Sequence, residues 1–143
     1  MIKKRKILIV IADYYSGISN SLLDSAKKTL IKPFKLRVIT VPGVFEIPVI
    51  ISKNIKKFDA FIALGCVIKG ETPHFDFISK ASIEAIMNLS VKNNKPIGNG
   101  IITCLNMKQA TARKNNKGEE AANAVNSFFD VLQLDNKDML VDF

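Results

Sequence analysis

A chain of 143 residues is the size of one domain, and at that length folding buries roughly 68–70% of the unfolded surface, so no disulfide or metal staple is needed. Hydrophobic residues at 48% and charged residues at 24% describe an ordinary soluble globular protein, expected to be a single domain over residues 1–143. The formal charge of +8 raises nucleic-acid binding, but Lys27-Lys28, Lys56-Lys57, Lys92, Lys95, Lys114 and Lys117 are dispersed, with no aromatic-interleaved basic stripe among them. A solvated basic surface with a bias toward anionic small molecules is expected instead, with no nucleic acid and no membrane as partner.

No apolar run reaches the roughly eighteen residues of a membrane span. The start is basic, and the apolar run at residues 7–12 is too short for a signal-peptide core, which needs at least about seven residues. A cytoplasmic location is therefore expected. Cys66 and Cys104 fit no metal-ligand spacing, and His74 is the only histidine, so a Cys/His metal site is not expected. Two buried, reduced thiols are.

Apolar and amphipathic runs alternate along the chain, which is the pattern of a parallel sheet with crossover helices. Residues 6–12 (KILIVIA) read as a strand covered on both faces. Ser19 or Asn20 is placed to cap a helix in which Leu22, Leu23, Ala26 and Leu30 share a face, and Pro33 ends it. Residues 36–41 form a second strand, and Pro42-Gly43 turns the chain into a helix over about residues 45–57.

Residues 60–68 (AFIALGCVI) are the third strand. Thr72 as N-cap and Pro73 at the first helical position then open a long helix toward Lys92. Residues 96–103 make a fourth strand containing two glycines. Residues 107–114 and 117–132 read as two helices separated by Asn115-Asn116, and the tail from Asp135 carries no signal. The expected fold is α/β, a three-layer α/β/α sandwich on a four-stranded parallel sheet.

In open sheets of this kind ligands bind beyond the carboxyl ends of the strands. That rule selects Asp13-Tyr14-Tyr15, then Pro42 to Glu46, then Lys69 to His74, then Thr103 to Asn106. Gly65-Cys66-Val67-Ile68-Lys69-Gly70-Glu71-Thr72 nearly spells a nucleotide phosphate loop. Glu71, however, stands where lysine belongs, and its carboxylate would face the phosphates, so a nucleotide loop is rejected. A simpler anion site remains, with Gly70 turning the backbone and Thr72 capping a helix whose free N–H groups point outward. A merely well-capped helix explains those two residues equally well.

His74 lies two residues past that cap, where an imidazole can both take and give a proton. Glu46 opens a helix, which its charge alone favours, or accepts hydrogen bonds from substrate hydroxyls. Tyr14 and Tyr15 either stack on a flat ring or pack. Cys66 sits in apolar surroundings that raise a thiol pKa, so it is read as structural or as a pocket wall.

Four stretches carry a wider resemblance. They are Val41-Pro42-Gly43-Val44-Phe45-Glu46-Ile47-Pro48; Leu64-Gly65-Cys66-Val67-Ile68-Lys69-Gly70-Glu71-Thr72-Pro73-His74-Phe75-Asp76; Gln109-Ala110 through Arg113; and Asn116-Lys117-Gly118 with Glu120-Ala121-Ala122. In this order, and along nearly the whole chain, they resemble the lumazine synthases of riboflavin biosynthesis.

The resemblance implies a flavodoxin-like sandwich that forms homopentamers with active sites shared between neighbours, and it admits riboflavin synthase as a further partner. It implies a transferase without metal or organic cofactor, condensing 5-amino-6-(D-ribitylamino)uracil with 3,4-dihydroxy-2-butanone 4-phosphate. By that resemblance Tyr14 stacks on the pyrimidine, while Val44, Phe45 and Glu46 hold the ribityl chain. Cys66, Val67 and Ile68 line the ring pocket, Glu71 and Thr72 offer backbone N–H groups to the phosphate, and His74 shuttles protons. The neighbour brings Asn99 to the ring, Arg113 to the phosphate, and Lys117 near the site.

The chain departs from the family where Asp13-Tyr14-Tyr15 replaces the usual Arg-Phe-Asn, and where Asn99 replaces a frequent phenylalanine. Two rival functions follow from the same reading. A phosphoacceptor domain would need an aspartate ending the third strand, where this chain has Gly65 to Ile68. A non-catalytic flavin- or pterin-binding shell or carrier of the same fold is the alternative that Asp13 and Asn99 keep open.

Overall fold

The computed structural model describes residues 4–31 and 33–135; the first three residues of the basic start and the tail beyond Asp135 lie outside it. Four strands, β1 (Lys6–Ala12), β2 (Lys35–Val41), β3 (Ala60–Ile68) and β4 (Ile97–Cys104), form one all-parallel sheet in the order β2-β1-β3-β4. Their helices are α1 (Ser16–Thr29), α2 (Ile47–Lys53, preceded by a 3-10 turn at Val44–Glu46), α3 (His74–Asn93) and α4 (Met107–Asp135).

Strand alternation explains the three layers. Ile7, Ile9 and Ile11 of β1 pack with Leu22 and Ala26 of α1 and with Val125 and Phe129 of α4. Leu8, Val10 and Ala12 point the other way, onto Ile47 and Ile51 of α2 and Ile86 of α3. Both faces of the central strands are thus dry, which is why β1 and β3 read as unbroken apolar runs. The edge strand β2 is largely exposed or half-buried. Among the described residues no helix is long and apolar enough to cross a membrane.

Several local expectations are corrected. Ser19 does not cap α1. The helix begins at Ser16, and the buried Ser19 hydroxyl lies inside it, donating to the carbonyls of Ala12 (2.7 Å) and Tyr15 (3.1 Å). That bond ties α1 to the end of β1, a tertiary use of a residue that local rules assign to a cap. Thr72 is likewise one position early: Pro73 is the cap residue of α3, and Thr72 Oγ1 accepts a long bond (3.4 Å) from the His74 N–H.

The helix expected over residues 45–57 is shorter, ending at Asn54, whose side-chain amide donates to the Ile50 carbonyl at 2.8 Å. Lys95 then draws the following turn away, its ammonium donating to the carbonyls of Ile55 (2.6 Å) and Phe58 (2.9 Å). β4 runs one residue later than expected.

The largest correction is at Asn115-Asn116, which interrupts nothing: α4 is continuous from Met107 to Asp135. Asn-Asn-Lys-Gly is poor helix sequence, and tertiary packing overrides it. Gly118 sits where α4 crosses α1, and a Cβ there would lie 2.5 Å from the Leu22 carbonyl oxygen. The Ser25 hydroxyl of α1 also donates to the Asn115 carbonyl. In a free helix Gly→Ala would stabilise by about 1 kcal/mol. Here Gly118→Ala should instead lower stability by about 1–3 kcal/mol, because the added carbon meets rigid backbone. Urea midpoints of the two proteins, with unchanged m-values, check the sign.

Candidate active site

The chain leaves β1 toward β2 on one side and later returns to β3 on the other, so the order reverses between β1 and β3. That is the switch point at which ligands enter doubly wound sheets. A cleft of about 640 Å³ opens there. Its walls come from Tyr14 and Tyr15 after β1, Gly43 to Glu46 after β2, and Cys66, Val67 and Ile68 at the end of β3; Gly70, Thr72, His74, Phe75 and Ile78 complete it.

Most residues singled out from sequence therefore meet in one place: Tyr14, Val44, Phe45, Glu46, Cys66, Val67, Ile68, Thr72 and His74. Their exposures divide the labour. Val44 and Cys66 are buried and form a fixed floor, whereas Tyr14 (75% exposed) and Phe45 (62%) stand free as ring faces with room to close on a ligand. Glu46 is half-buried at the head of α2, and His74 is exposed at the first position of α3. Glu71 is also exposed but does not line the cleft.

Of the two readings open for Tyr15, stacking on a ligand ring or packing, the structure shows packing against Tyr14; Phe75 and Ile78 are lining residues that no site reading named. Tyr15 meets Tyr14 edge-on, with centroids 4.9 Å apart and planes at 77°, a favourable aromatic geometry that supports the exposed ring from below. Phe75 and Ile78 follow from helical geometry, since residues one, three and four apart near His74 share the first turn of α3. Only the helix start, misplaced by one residue, concealed them.

Burial governs the thiol chemistry. It pushes the Cys66 thiol up to about 12, helped by the neighbouring Cys104 and a hydrogen bond to it. Tyr15 is raised for the same leading reason, then by Tyr14 and the two cysteines. Cys66 is thus a neutral, pocket-forming thiol, as its apolar strand implies. Among the described residues no three His, Cys, Asp or Glu side chains converge into a metal site.

Asn99, Arg113 and Lys117 do not reach this cleft. Arg113 and Lys117 line a separate one of about 330 Å³ at the β4 edge, with Ile101, Thr103, Asn116 and Glu120 among their neighbours. Arg113 folds back to donate to the Thr103 carbonyl at 3.4 Å, and Lys117 pairs with Glu120 at 3.6 Å across one helical turn. Such exposed contacts hold a side chain weakly and leave it free for a stronger anion. Asn99, half-buried on β4, accepts the Ile101 N–H at 3.0 Å.

The fold and cleft define an α/β sandwich with a cleft at the switch point of a parallel sheet. The family model for 6,7-dimethyl-8-ribityllumazine synthase matches residues 4–133. Proteins bearing that name are similar over most of their length. That of Bartonella henselae is 47% identical, covering 85% of this chain and 84% of its own. That of Methylorubrum extorquens is 41% identical over 92% and 83%, and that of Agrobacterium fabrum 44% over 77% and 80%. The chain belongs to the 6,7-dimethyl-8-ribityllumazine synthase family.

A neutral Cys66 has a kinetic consequence, because the thiolate is the nucleophile. At pH 8 iodoacetamide should modify Cys66 in the folded protein about tenfold or more slowly than in denaturant, as read by peptide mass spectrometry. The stability consequence has a definite sign. Burial holds the folded thiol above its ordinary value of about 9, so this contribution is complete below about pH 9 and is lost as pH rises toward 12. Cys66→Ala should flatten that decline relative to the parent.

Proposed function

We propose that this chain is a riboflavin-pathway lumazine synthase acting as a single domain in the cytoplasm, and that its working site is built from two subunits of a homopentamer or a multiple of it. The activity is the family's: 5-amino-6-(D-ribitylamino)uracil and 3,4-dihydroxy-2-butanone 4-phosphate condense to 6,7-dimethyl-8-ribityllumazine with release of phosphate and water. The amine of the uracil attacks the ketone to give an imine, phosphate leaves, and the ribitylamine closes the second ring. Cleft residues bind the uracil, with Tyr14 against the ring, Glu46 accepting from ribityl hydroxyls, and Cys66, Val67 and Ile68 as the apolar wall. His74 moves protons between substrate atoms, and much of the rate comes from holding two reactants in line.

One observation carries the two-subunit reading. Among the described residues the lining of the large cleft contains no lysine or arginine, yet the proposed reaction needs a phosphate monoester held beside it. Arg113 and Lys117 face a different cleft at the sheet edge, so a neighbour's copies are the fitting cations. A planar guanidinium pairs with phosphate in two parallel bonds. Exposed apolar side chains on α3, namely Phe77 (69%), Met87 (61%) and Val91 (68%), support a surface that another copy covers. Glu71 and Thr72 contribute backbone N–H groups at the start of α3, Asn99 of the neighbour approaches the ring, and riboflavin synthase is a candidate partner of the assembly.

The test is turnover of both substrates, following lumazine fluorescence and phosphate together. Stoichiometric formation of the two is expected. His74→Ala should lower kcat by about 10²-fold through lost proton transfer. Arg113→Ala should act mainly on KM for the sugar phosphate, by about 10–100-fold, the worth of a charge-assisted bond. Ring binding with no turnover would mean that the fold serves as a flavin or pterin carrier. Mixing His74→Ala with Arg113→Ala subunits should restore part of the activity, since mixed interfaces contain one intact site; no recovery would sink the shared site.

A further inference from the structure

Cys66 and Cys104 are the only cysteines of the chain, and the proposed reaction uses neither as a nucleophile. Both are free and buried in the same core cluster. They lie on neighbouring strands: Cys66 is opposite Ile102, and Cys104 is opposite Ile68, so the two thiols are diagonal neighbours two residues apart in register. The Cys104 thiol donates toward the carbonyls of Val67 (3.9 Å) and Asn106 (3.4 Å), at the ends of the same two strands. Cys66 also lines the large cleft, so one sulfur of the pair faces the ligand side and Cys104 lies buried behind it.

We propose that Cys66 and Cys104 form a dithiol capture site in the floor of the cleft, taking a three-coordinate thiophilic centre, namely trivalent arsenic as an organic arsenical. The same register argues against a disulfide. Strands about 4.8 Å apart and an offset of two residues put the Cα atoms about 8 Å apart. A disulfide seldom spans more than about 7 Å without backbone movement. A bridging atom between the sulfurs lengthens the span and relieves that mismatch.

The chemistry balances without an oxidant. A hydrated aryl arsenical, ArAs(OH)2, exchanges both hydroxyls: two As–OH and two S–H bonds break, two As–S bonds form, and two waters leave. Arsenic stays trivalent throughout. Neutral thiols suit this exchange, since each proton departs with a hydroxyl as water. The aryl group would project into the cleft beside Val67 and Tyr15.

The test treats the folded, full-length protein with phenylarsine oxide beside excess glutathione, then counts arsenic by intact mass and titrates thiols after denaturation. One arsenic per chain is expected, with titratable thiols falling from two to none and restored by dimercaptopropanol. Cys104→Ser and Cys104→Ala, which leave the cleft lining intact, should keep turnover but release the arsenical to glutathione about 10²-fold faster, through loss of the second, intramolecular sulfur. No capture, or capture that leaves one thiol free, overturns the proposal. So does retention unchanged in both Cys104 variants, or ready formation of a Cys66–Cys104 disulfide with hydrogen peroxide. Because the readouts are mass and thiol count, they stand whether or not lumazine is formed.

Discussion

The pairing of β1 with β3 at the centre of the sheet sets the position of everything that follows. Ile7 to Ile11 run beside Ala60 to Leu64 with no intervening strand, so the loops after these two strands open side by side although the chain travels through β2 in between. Gly65 makes that junction usable. A Cβ at residue 65 would lie 2.6 Å from Val44 Cγ1 and 3.2 Å from Ala12 Cβ. Its absence lets the Val44–Glu46 turn settle against the ends of both central strands. The cleft floor is therefore a packing solution fixed by one missing side chain, and the exposed groups above it, Tyr14, Phe45 and His74, inherit their positions from it.

The β4 edge answers to a different constraint. α4 is a single 29-residue helix lying against α1 and β4, and it carries Arg113 and Lys117 on one rigid rod. Its N-terminus is locked from both sides: Asn106 Oδ1 accepts the Gln109 N–H at 2.9 Å, and Gln109 Oε1 accepts the Leu105 N–H at 2.7 Å, a capping-box-like pair shifted by one residue at its second bond. A break at Asn115-Asn116 would have let the two cations move separately. Continuity holds Arg113 and Lys117 in one helical register.

The strands were legible from sequence because burial on both faces leaves an unmistakable apolar run, and β1 and β3 have the expected limits. The carboxyl-end rule then located the cleft without any knowledge of its ligand, and it brought His74, Glu46 and Tyr14 together correctly. What failed was everything that tertiary contact decides. Ser19 looks like a cap until the carbonyl of Ala12 is seen beside it, and Asn115-Asn116 looks like a joint until α1 is seen packed against Gly118. Tyr15 is ambiguous from sequence because stacking and packing ask for the same residue. The distance between Arg113 and the cleft has no local signature at all; only the resemblance to the family implies a second subunit.

That separation has a physical rationale on the proposed assembly. Among the described residues a lone subunit presents a cleft lined by His74 but by no lysine or arginine, so a phosphate ester entering it would lose hydration without a counter-charge, an unfavourable exchange. Closing the site with a neighbour's guanidinium supplies that charge where water is being excluded and where a charge-assisted bond is strongest. The exposed apolar residues of α3 and the half-exposed β2 edge are costly in an isolated chain and favourable once covered. Assembly and phosphate binding would then draw on the same event. In that assembly the subunit would gain stability by burying α3, and the site would gain its positive charge from the β4 edge of the next copy, so that a cleft competent for the phosphate would exist only where an interface does.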